Sequence, residues 1–284
     1  MAKKTQPFEH RQMMKQKTFE IFHYRDNEPK LVQVHYHDFY EIYFFMGGNV
    51  LYLVEGDTYS LNRGDLLLIS PLELHQPIIK AESPYERMVL WIDRSYLESL
   101  CTEDSDLSYC FRANQHNHVN LLQANMFMRG RIAELFELLI KESRSDEFGA
   151  KPYAEGLLTQ LLVEVNRAVK QKTTSAARAD DDGLIHRITS YINTHYQEDI
   201  SLDSLAKRFF INKYYLSHKF SNQTGIGVYR YLILKRLSIA KEMLAQGMGA
   251  IEVSRHCGFH NYPTFYRVFK AEYGISPSQY VSQM

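Results

Sequence analysis

The chain has 284 residues, and its 33 Lys and Arg equal its 33 Asp and Glu, so the formal net charge is zero. Apolar residues make up 45% of the sequence and charged residues 23%, which is a globular balance and argues against bulk disorder. Because domains commonly run to about 100–200 residues, we expect two.

Cysteine spacing and hydropathy narrow the class of protein further. Cys101, Cys110 and Cys257 are scattered and lack the close pairs of a structural zinc site, so we expect reduced thiols. No segment approaches the ~18 apolar residues of a membrane span, and the N-terminus leads into charge rather than into an apolar signal segment. These features predict a cytoplasmic protein with no membrane partner.

The first part of the chain has the pattern of an all-β domain. Short aromatic and β-branched segments at 31–34, 40–45, 50–54, 65–69 and 88–92 read as strands. Turn residues such as those at 47–49 and 55–57 separate them at the spacing of a β-barrel or sandwich. We therefore assign a β-barrel domain to residues 1–120.

Two amphipathic helices are predicted next, at 126–141 and 152–170, within a helical segment that spans 121–171. The apolar stripe of the first helix consists of Met128, Ile132, Leu135, Phe136, Leu139 and Ile140. That of the second consists of Leu157, Leu158, Leu161, Leu162 and Val165. Such stripes need a partner surface, and we expect the interface of a homodimer, although the stripes could instead cover the barrel.

Residues 172–183 are small and polar without periodicity, so they are predicted to be the interdomain linker. The region that follows, 184–284, carries 12 Lys and Arg against 6 Asp and Glu. Its net charge of +6 is matched by −6 in residues 1–183. The basic region is where a polyanion such as DNA would bind.

An internal near-duplication, offset by about 48 positions, is the strongest signal in 184–284. Each copy reads as helix, tight turn, helix. Small residues, Ala206 and Ser254, lie where the two helices of a copy would cross, and Asn212 and Asn261 are placed to cap the second helices. The predicted inward and C-terminal cap residues are Leu216, Phe220 and Gly225 in the first copy, and Phe265, Phe269 and Gly274 in the second.

A continuous amphipathic helix at 228–245 is predicted between the two copies. At 1.5 Å rise per residue it would be about 27 Å long. Two recognition helices held about one duplex turn apart, ~34 Å, can enter successive major grooves on one face of DNA. One chain could thus bind DNA as a helix-turn-helix dimer does.

These residues resemble the AraC/XylS family of transcription regulators over about 100 positions. The matching segments are Ser201-Leu202-x-x-Leu205-Ala206, Tyr215-Leu216-Ser217-x-x-Phe220, Arg236-Leu237-x-x-Ala240-x-x-x-Leu244, Cys257-Gly258-Phe259 and Phe265-x-Arg267-x-Phe269-Lys270-x-x-x-Gly274-Ile275-Ser276-Pro277-Ser278-Gln279-Tyr280. Ser254, where the family usually has Ala, and Val281, where it often has Arg, depart from the pattern.

The resemblance implies a sequence-specific DNA-binding regulator with double-stranded DNA and RNA polymerase as partners. The residues it places toward DNA are Lys213, Tyr214, Ser217 and His218 in the first recognition helix, and Tyr262, Thr264, Tyr266, Arg267 and Lys270 in the second. Arg267 is the best candidate for reading a guanine edge, whereas the lysines are suited to phosphates.

In the N-terminal region, His35-x-His37-x-x-x-Glu41 and the later Gly64-Asp65 and Pro71-x-x-x-His75 resemble the two motifs of cupin barrels. In a strand, His35 and His37 would share a face and point into one cavity with Glu41 and His75. Cupin enzymes hold a divalent metal at such positions, and these four residues are a competent ligand set. For AraC-type sensors, however, the resemblance implies effector binding without chemistry, so no metal, cofactor or catalytic residue is predicted.

The overall expectation is an α+β multidomain protein: a cupin-like β-barrel with a helical dimerisation segment, then an all-α double helix-turn-helix at 184–284. The barrel would bind a small-molecule effector, a sugar or a related metabolite, and the protein would not be an enzyme. The predicted effector contacts are His35, His37, Glu41, Tyr43, Tyr52, His75, Arg87 and Trp91. Two alternatives stay open: a metal-dependent cupin enzyme tethered to DNA, and an architectural DNA binder whose barrel has no cavity.

Overall fold

The computed structural model describes residues 13–27, 32–79, 84–112, 120–123, 125–173 and 183–282. Its strands are β1 (Phe19–Asp26), β2 (Tyr40–Gly47), β3 (Val50–Val54), β4 (Asp57–Ser60), β5 (Leu66–Ile69), β6 (His75–Ile79), β7 (Tyr85–Ile92) and β8 (Leu121–Leu122). Its helices are α1 (Arg94–Ser99), α2 (Tyr109–Arg112), α3 (Met126–Glu142), α4 (Ala150–Thr173), α5 (Leu184–His195), α6 (Leu202–Arg208), α7 (Lys213–Thr224), α8 (Val228–Ala245), α9 (Ala250–His256), α10 (Tyr262–Tyr273) and α11 (Pro277–Ser282). The chain divides into two compact units, the first of residues 1–54 and 58–180 and the second of residues 55–57 and 181–284.

The strands of the first unit form two sheets. One has the order β1-β7-β2-β5-β8 and the other the order β4-β3-β6. The register of the larger sheet sets Glu41 on β2 opposite Trp91 on β7, and Tyr24 on β1 opposite Arg87 on β7. The predicted combination of a β-rich N-terminal domain and a helical C-terminal domain is confirmed.

Three strands of the larger sheet, β2, β5 and β7, are buried on both faces. Side chains alternate across a strand, so successive residues join different clusters. Ile42, Phe44, Leu66, Leu68, Met88 and Leu90 pack in the cluster that contains α3 and α4. Tyr43, Phe45, Leu67, Ile69, Val89 and Trp91 pack in a second cluster with the side chains of β3.

Helices α3 and α4 lie on the outer face of the larger sheet. Their predicted apolar stripes pack there, with Met128 and Ile140 only partly buried, and the rings of Phe136 on α3 and Phe44 on β2 stack with centroids 5.5 Å apart. This packing is the alternative in which the stripes cover the β domain. A dimer interface on this segment would have to use the other faces of α3 and α4, and it stays a prediction.

Several predicted boundaries differ from the observed ones in the first unit. The predicted strand 31–34 is not found: residue 31 lies outside the described residues, and 32–34 have no strand pairing. Only His35 is paired, through an isolated bridge to His75. Strands β1, β4, β6 and β8 were not singled out from the sequence. Helix α4 continues through Thr173, two residues into the predicted linker, and residues 174–182 lie outside the described part of the chain.

The second unit contains the two predicted helix-turn-helix motifs, α6–α7 and α9–α10. The Asn212 side chain accepts hydrogen bonds from the Tyr214 and Tyr215 amides, and Asn261 caps α10 in the same way. Helices α7 and α10 both end at a glycine with positive φ, Gly225 and Gly274. The predicted inward residues of both helices are fully buried: Leu216, Phe220, Phe265 and Phe269.

Helix α8 has the predicted bounds, but it is not amphipathic. Ten of its 18 residues are buried, including four in succession from Tyr231 to Leu234. The reason is its position, because α8 contacts α5 and α7 of the first motif as well as α9 and α11 of the second. Ser254 is compatible with its buried site because its hydroxyl donates to the Ile251 carbonyl over 2.7 Å.

Candidate functional site

A cavity of about 40 Å³ lies between the two sheets of the first unit. Its walls come from β1, β2 and β7 of the larger sheet, β3 and β6 of the smaller, and the segment before β2. The lining residues are Tyr24, Val32, His35, His37, Glu41, Tyr43, Tyr52, Pro77, Tyr85, Arg87, Val89 and Trp91. This volume is enough for a few water-sized groups. The β domain therefore contains a cavity, whereas the alternative of an architectural DNA binder predicted a barrel without one.

Arg87 is a charge buried in the cavity wall. Its Nη1 lies 2.5 Å from Oδ2 of Asp26, and its guanidinium lies over the rings of Tyr85 at 4.1 Å and Tyr24 at 4.9 Å. Burial acts to lower the pKa of Arg87, but Tyr85, Tyr43 and Asp26 outweigh it and the net shift is upward. The cavity thus contains a fixed positive charge beside aromatic faces.

Tyrosine hydroxyls supply neutral hydrogen-bonding groups in the same cavity. The hydroxyls of Tyr43 and Tyr85 are 2.5 Å apart. Burial raises the pKa of Tyr85 to about 12, and burial raises the pKa of Tyr43 and Tyr52 well above 10. All three therefore keep their protons near neutral pH and can donate or accept.

A carboxylate and a histidine occupy another part of the cavity wall. Nε1 of Trp91 donates to Oε2 of Glu41 over 2.8 Å, and Nε2 of His37 lies 3.2 Å from the same oxygen. Both Glu41 and His37 are buried. The Trp91 ring thereby holds the carboxylate in one orientation.

His75 lies beside this pair but does not line the cavity. Its ring centroid is 4.7 Å from that of His37 and 4.3 Å from that of His35. Burial lowers the pKa of His75 well below 6.5, and the nearby His35 and His37 act in the same direction. His75 is consequently a neutral imidazole near pH 7.

The cavity brings together seven of the eight predicted effector contacts, all except His75. Their role in effector binding stays a prediction. His35 and His37 were predicted to share one face of a strand, but the segment before β2 is not a strand. Both histidines nevertheless line the cavity. Sequence reasoning missed Tyr24, Val32, Pro77, Tyr85 and Val89. Tyr85 and Val89 are two residues away from Arg87 or Trp91 along β7 and share their face of the strand. The strand period of two therefore predicts them as lining residues.

The predicted DNA-facing residues occupy the surfaces of α7 and α10. On α7, Tyr214 is 75% exposed, and Lys213 is exposed but paired with Asp203 at 3.1 Å. Ser217 is half-buried, while His218 is exposed and its Nδ1 lies 3.2 Å from Nδ2 of Asn222.

On α10, Tyr266, Arg267 and Lys270 are exposed, and Tyr262 and Thr264 are half-buried. No ion pair is formed by Arg267 or Lys270 with any residue in the described part of the chain. Their charges are therefore not neutralised by a described carboxylate, unlike that of Lys213. Contact with DNA stays a prediction for each of these residues.

Two family models match the chain. An AraC-like ligand binding domain matches residues 18–162, and a helix-turn-helix domain matches residues 205–283. The first extends through α3 into α4, so the helical segment forms part of the ligand-binding domain. A two-domain architecture of this kind defines a DNA-binding transcription regulator with a ligand-binding domain.

The chain belongs to the AraC family of transcription regulators. The HTH-type transcriptional regulator YbfI of Bacillus subtilis (strain 168) is 26% identical over 79% of this chain and 78% of its own length. The HTH-type transcriptional activator RhaS of Salmonella schwarzengrund is 23% identical over 88% of this chain and 89% of its own. Both relatives are named as transcriptional regulators.

Among solved structures, an apo ToxT variant from Vibrio cholerae strain SCE256 covers 94% of this chain and 97% of its own, with 16% identity and a TM-score of 0.40. Among the described helices, none is both long and apolar enough to cross a membrane.

Proposed function

We propose that this regulator binds a small polyhydroxylated metabolite, a sugar or a related compound, in the cavity of the β domain. The observation that supports this is the chemistry of the walls. Tyrosine hydroxyls, a buried carboxylate and a buried guanidinium lie among aromatic faces, which suits the hydroxyls and the apolar faces of a sugar ring.

Entry of such an effector would require the cavity to enlarge. Its volume of about 40 Å³ is far below the about 300–1,000 Å³ of typical ligand sites. The hydroxyl pair of Tyr43 and Tyr85 and the Arg87–Asp26 pair are contacts that an incoming hydroxyl group can replace. Binding would then favour an opened arrangement of the β domain, and a ligand shifts such an equilibrium by its difference in affinity for the two arrangements.

The effector proposal is tested with a panel of monosaccharides, sugar acids and polyols, using thermal shift of the full chain followed by calorimetry. For the best ligand, we expect Tyr43→Phe combined with Tyr85→Phe to weaken binding at least tenfold, because both hydroxyls are lost while the rings remain. Tyr96→Phe, on α1 and outside the cavity lining, is the matched control and should change affinity less than twofold. Equal affinities in the two variants would contradict the proposed site.

On DNA, the regulator would act as an activator that reads two half-sites with α7 and α10. The similarity to the transcriptional activator RhaS supports the activator assignment, and the two capped helices with exposed polar faces support bipartite reading. It would act in the cytoplasm, where it meets DNA and RNA polymerase, and as a homodimer. Sedimentation of the full chain, with and without the effector, tests the dimer.

Selection of random duplexes by the full chain at two salt concentrations tests the DNA-binding mode. We expect a two-part motif, and Arg267→Ala should relax one position of it and cost about 1–3 kcal/mol on the selected site. Lys270→Ala is the contrasting variant, since loss of a phosphate contact should weaken all sequences alike. Salt-sensitive binding without sequence preference would overturn the assignment of a specific regulator and favour an architectural DNA binder.

A further inference from the structure

Three metal-ligating side chains converge beside the cavity: His37, Glu41 and His75. One donor atom of each lies within 4.8 Å of the other two, and the exposed fractions of the three residues are 2%, 5% and 0%. The cavity wall includes His37 and Glu41, so this cluster adjoins the cavity.

The backbone fixes the tautomer of both rings. Nδ1 of His37 lies 2.9 Å from the carbonyl oxygen of Phe39, and Nδ1 of His75 lies 2.8 Å from that of Glu73. A carbonyl oxygen only accepts, so each Nδ1 carries a proton. In the neutral rings Nε2 is therefore the atom with the lone pair, which is the atom a metal ion needs.

Two of the three donor atoms face each other as acceptors. Nε2 of neutral His37 and Oε2 of Glu41, 3.2 Å apart, would repel unless a proton or a cation lies between them. In a tetrahedral shell with bonds of about 2.0–2.1 Å, neighbouring ligand atoms are about 3.4 Å apart, so this separation suits two ligands of one ion.

The third donor atom is also available to an ion. Nε2 of His75 is buried and has no hydrogen-bond partner among the described residues. A buried polar atom of this kind costs free energy unless something binds it. Its ring packs directly against that of His37, so a single ion can serve both.

We propose that His37, Glu41 and His75 form a binding site for a divalent transition metal ion of the zinc class. Two imidazoles and one carboxylate are borderline ligands that prefer such ions to Mg²⁺ or Ca²⁺. The Phe39 and Glu73 carbonyls orient the two rings, and the Trp91 indole orients the carboxylate, as outer-shell partners do in metal sites.

The site differs from the four-residue set in the cupin-like motif. His35, although its ring packs on that of His75, is not part of the converging group. Its Nδ1 lies 2.9 Å from the Gln33 carbonyl oxygen, the same kind of contact as in the other two rings, so position alone separates His35 from the converging group. Three protein ligands leave a coordination position open, and because His37 and Glu41 also line the cavity, a small oxygen donor in the cavity can reach it.

The test uses the full chain, stripped with a chelator and titrated with Zn²⁺ against a chromophoric competitor, with no effector present. We expect one tightly bound Zn²⁺ per chain, a matching change in Trp91 fluorescence, and a visible absorption band when Co²⁺ replaces Zn²⁺. Ca²⁺ and Mg²⁺ should not compete. Because no effector is used, failure of this site leaves the proposed effector class untouched.

Variants separate this site from the other histidines of the chain. Glu41→Gln and His75→Asn should each weaken Zn²⁺ binding at least tenfold, whereas His35→Asn, the matched control, should weaken it less than threefold. If His75→Asn does not fold, the nearly isosteric Glu41→Gln decides the outcome. Less than 0.2 equivalents of Zn²⁺ on the wild type, or unchanged affinity in Glu41→Gln, would overturn the site. An effect of His35→Asn as large as that of Glu41→Gln would overturn the three-residue assignment.

Discussion

Asp26 and Arg87 illustrate how a single buried charge constrains the β domain. Arg87 is 3% exposed, and its guanidinium contacts the carboxylate of Asp26 at the end of β1. Removing one partner of a buried pair leaves the other charge uncompensated, which costs far more than losing an ion pair in water. The pair therefore stabilises the edge of the sheet and the cavity wall at the same time.

Replacement of Asp26 tests that argument. Asp26→Asn should lower the free energy of unfolding of the β domain by about 2–4 kcal/mol, because the Arg87 charge stays buried. Asp38→Asn breaks the more solvent-accessible Arg94–Asp38 pair and should cost less than about 1 kcal/mol. Urea unfolding followed by fluorescence of Trp91, the one tryptophan of the sequence, measures both. Equal losses would show that burial does not govern the Arg87 pair.

Individual cavity residues were predictable only where a local pattern pointed to them. Arg87 and Trp91 share a strand face, and the same alternation leads to Tyr85 and Val89. Tyr24 enters the cavity because β1 pairs with β7 in one particular register, and no local pattern sets that register. His75 lies near the other histidines because it forms an isolated β-bridge with His35. Its position therefore depends on pairing between distant segments, which no local pattern predicts.

At the scale of elements, the turn between α9 and α10 depends on a glycine for two reasons. Gly258 has φ +75°, which disfavours side chains, and a Cβ there would lie 2.4 Å from the Gln197 carbonyl oxygen. Gly274, at the end of α10, has the same φ, but a Cβ there would meet no described atom within 4 Å. Alanine substitutions at Gly258 and Gly274 therefore separate the cost of backbone strain from the cost of a steric conflict.

We expect Gly274→Ala to cost about 1–2 kcal/mol, the strain of a left-handed alanine. Gly258→Ala should cost at least about 2 kcal/mol more, because a backbone carbonyl cannot rotate out of the way as a side chain can. Thermal unfolding of the full chain by circular dichroism, with DNA affinity measured beside it, compares the two variants. Melting temperatures within 2 °C of each other would contradict the steric argument.

The helices of the two helix-turn-helix motifs and α8 were predicted because their signals are local, whereas α5 and α11 were not singled out from the sequence. Asparagine caps and C-terminal glycines mark both ends of α7 and α10. The strands were harder. Pro77 interrupts the strand signal of β6, and β8 is only two residues long and exists through its pairing with β5. The burial of α8 on several sides was invisible to periodicity, since that depends on both motifs packing against it.

For the whole molecule, the net charge of zero is the sum of −6 in residues 1–183 and +6 in residues 184–284. Residues 184–284 carry +6, so the DNA-binding region should attract phosphates even though the chain as a whole is neutral. Counterion release makes such binding steeply dependent on salt.

We expect the affinity of the full chain for DNA to fall about a hundredfold or more between 50 and 200 mM salt, as for about four or more phosphate contacts. Lys270→Ala should reduce the slope of the logarithmic salt dependence by about one contact, whereas Lys141→Ala, in the ligand-binding domain, should leave it unchanged. Fluorescence anisotropy with a labelled duplex measures both slopes. A loss of less than threefold over this range would contradict the electrostatic footprint assigned to 184–284.

The double burial of β2, β5 and β7 has a consequence for how ligand preference can diverge among related regulators. Odd-numbered residues of these strands face the cavity side, and even-numbered residues face the helices. Substitutions at odd-numbered positions that line the cavity therefore change its walls without altering the packing of the sheet against α3 and α4. If the effector binds in this cavity as proposed, a library confined to positions such as 43, 85, 89 and 91 should change ligand preference while the helix-facing side of the sheet stays constant.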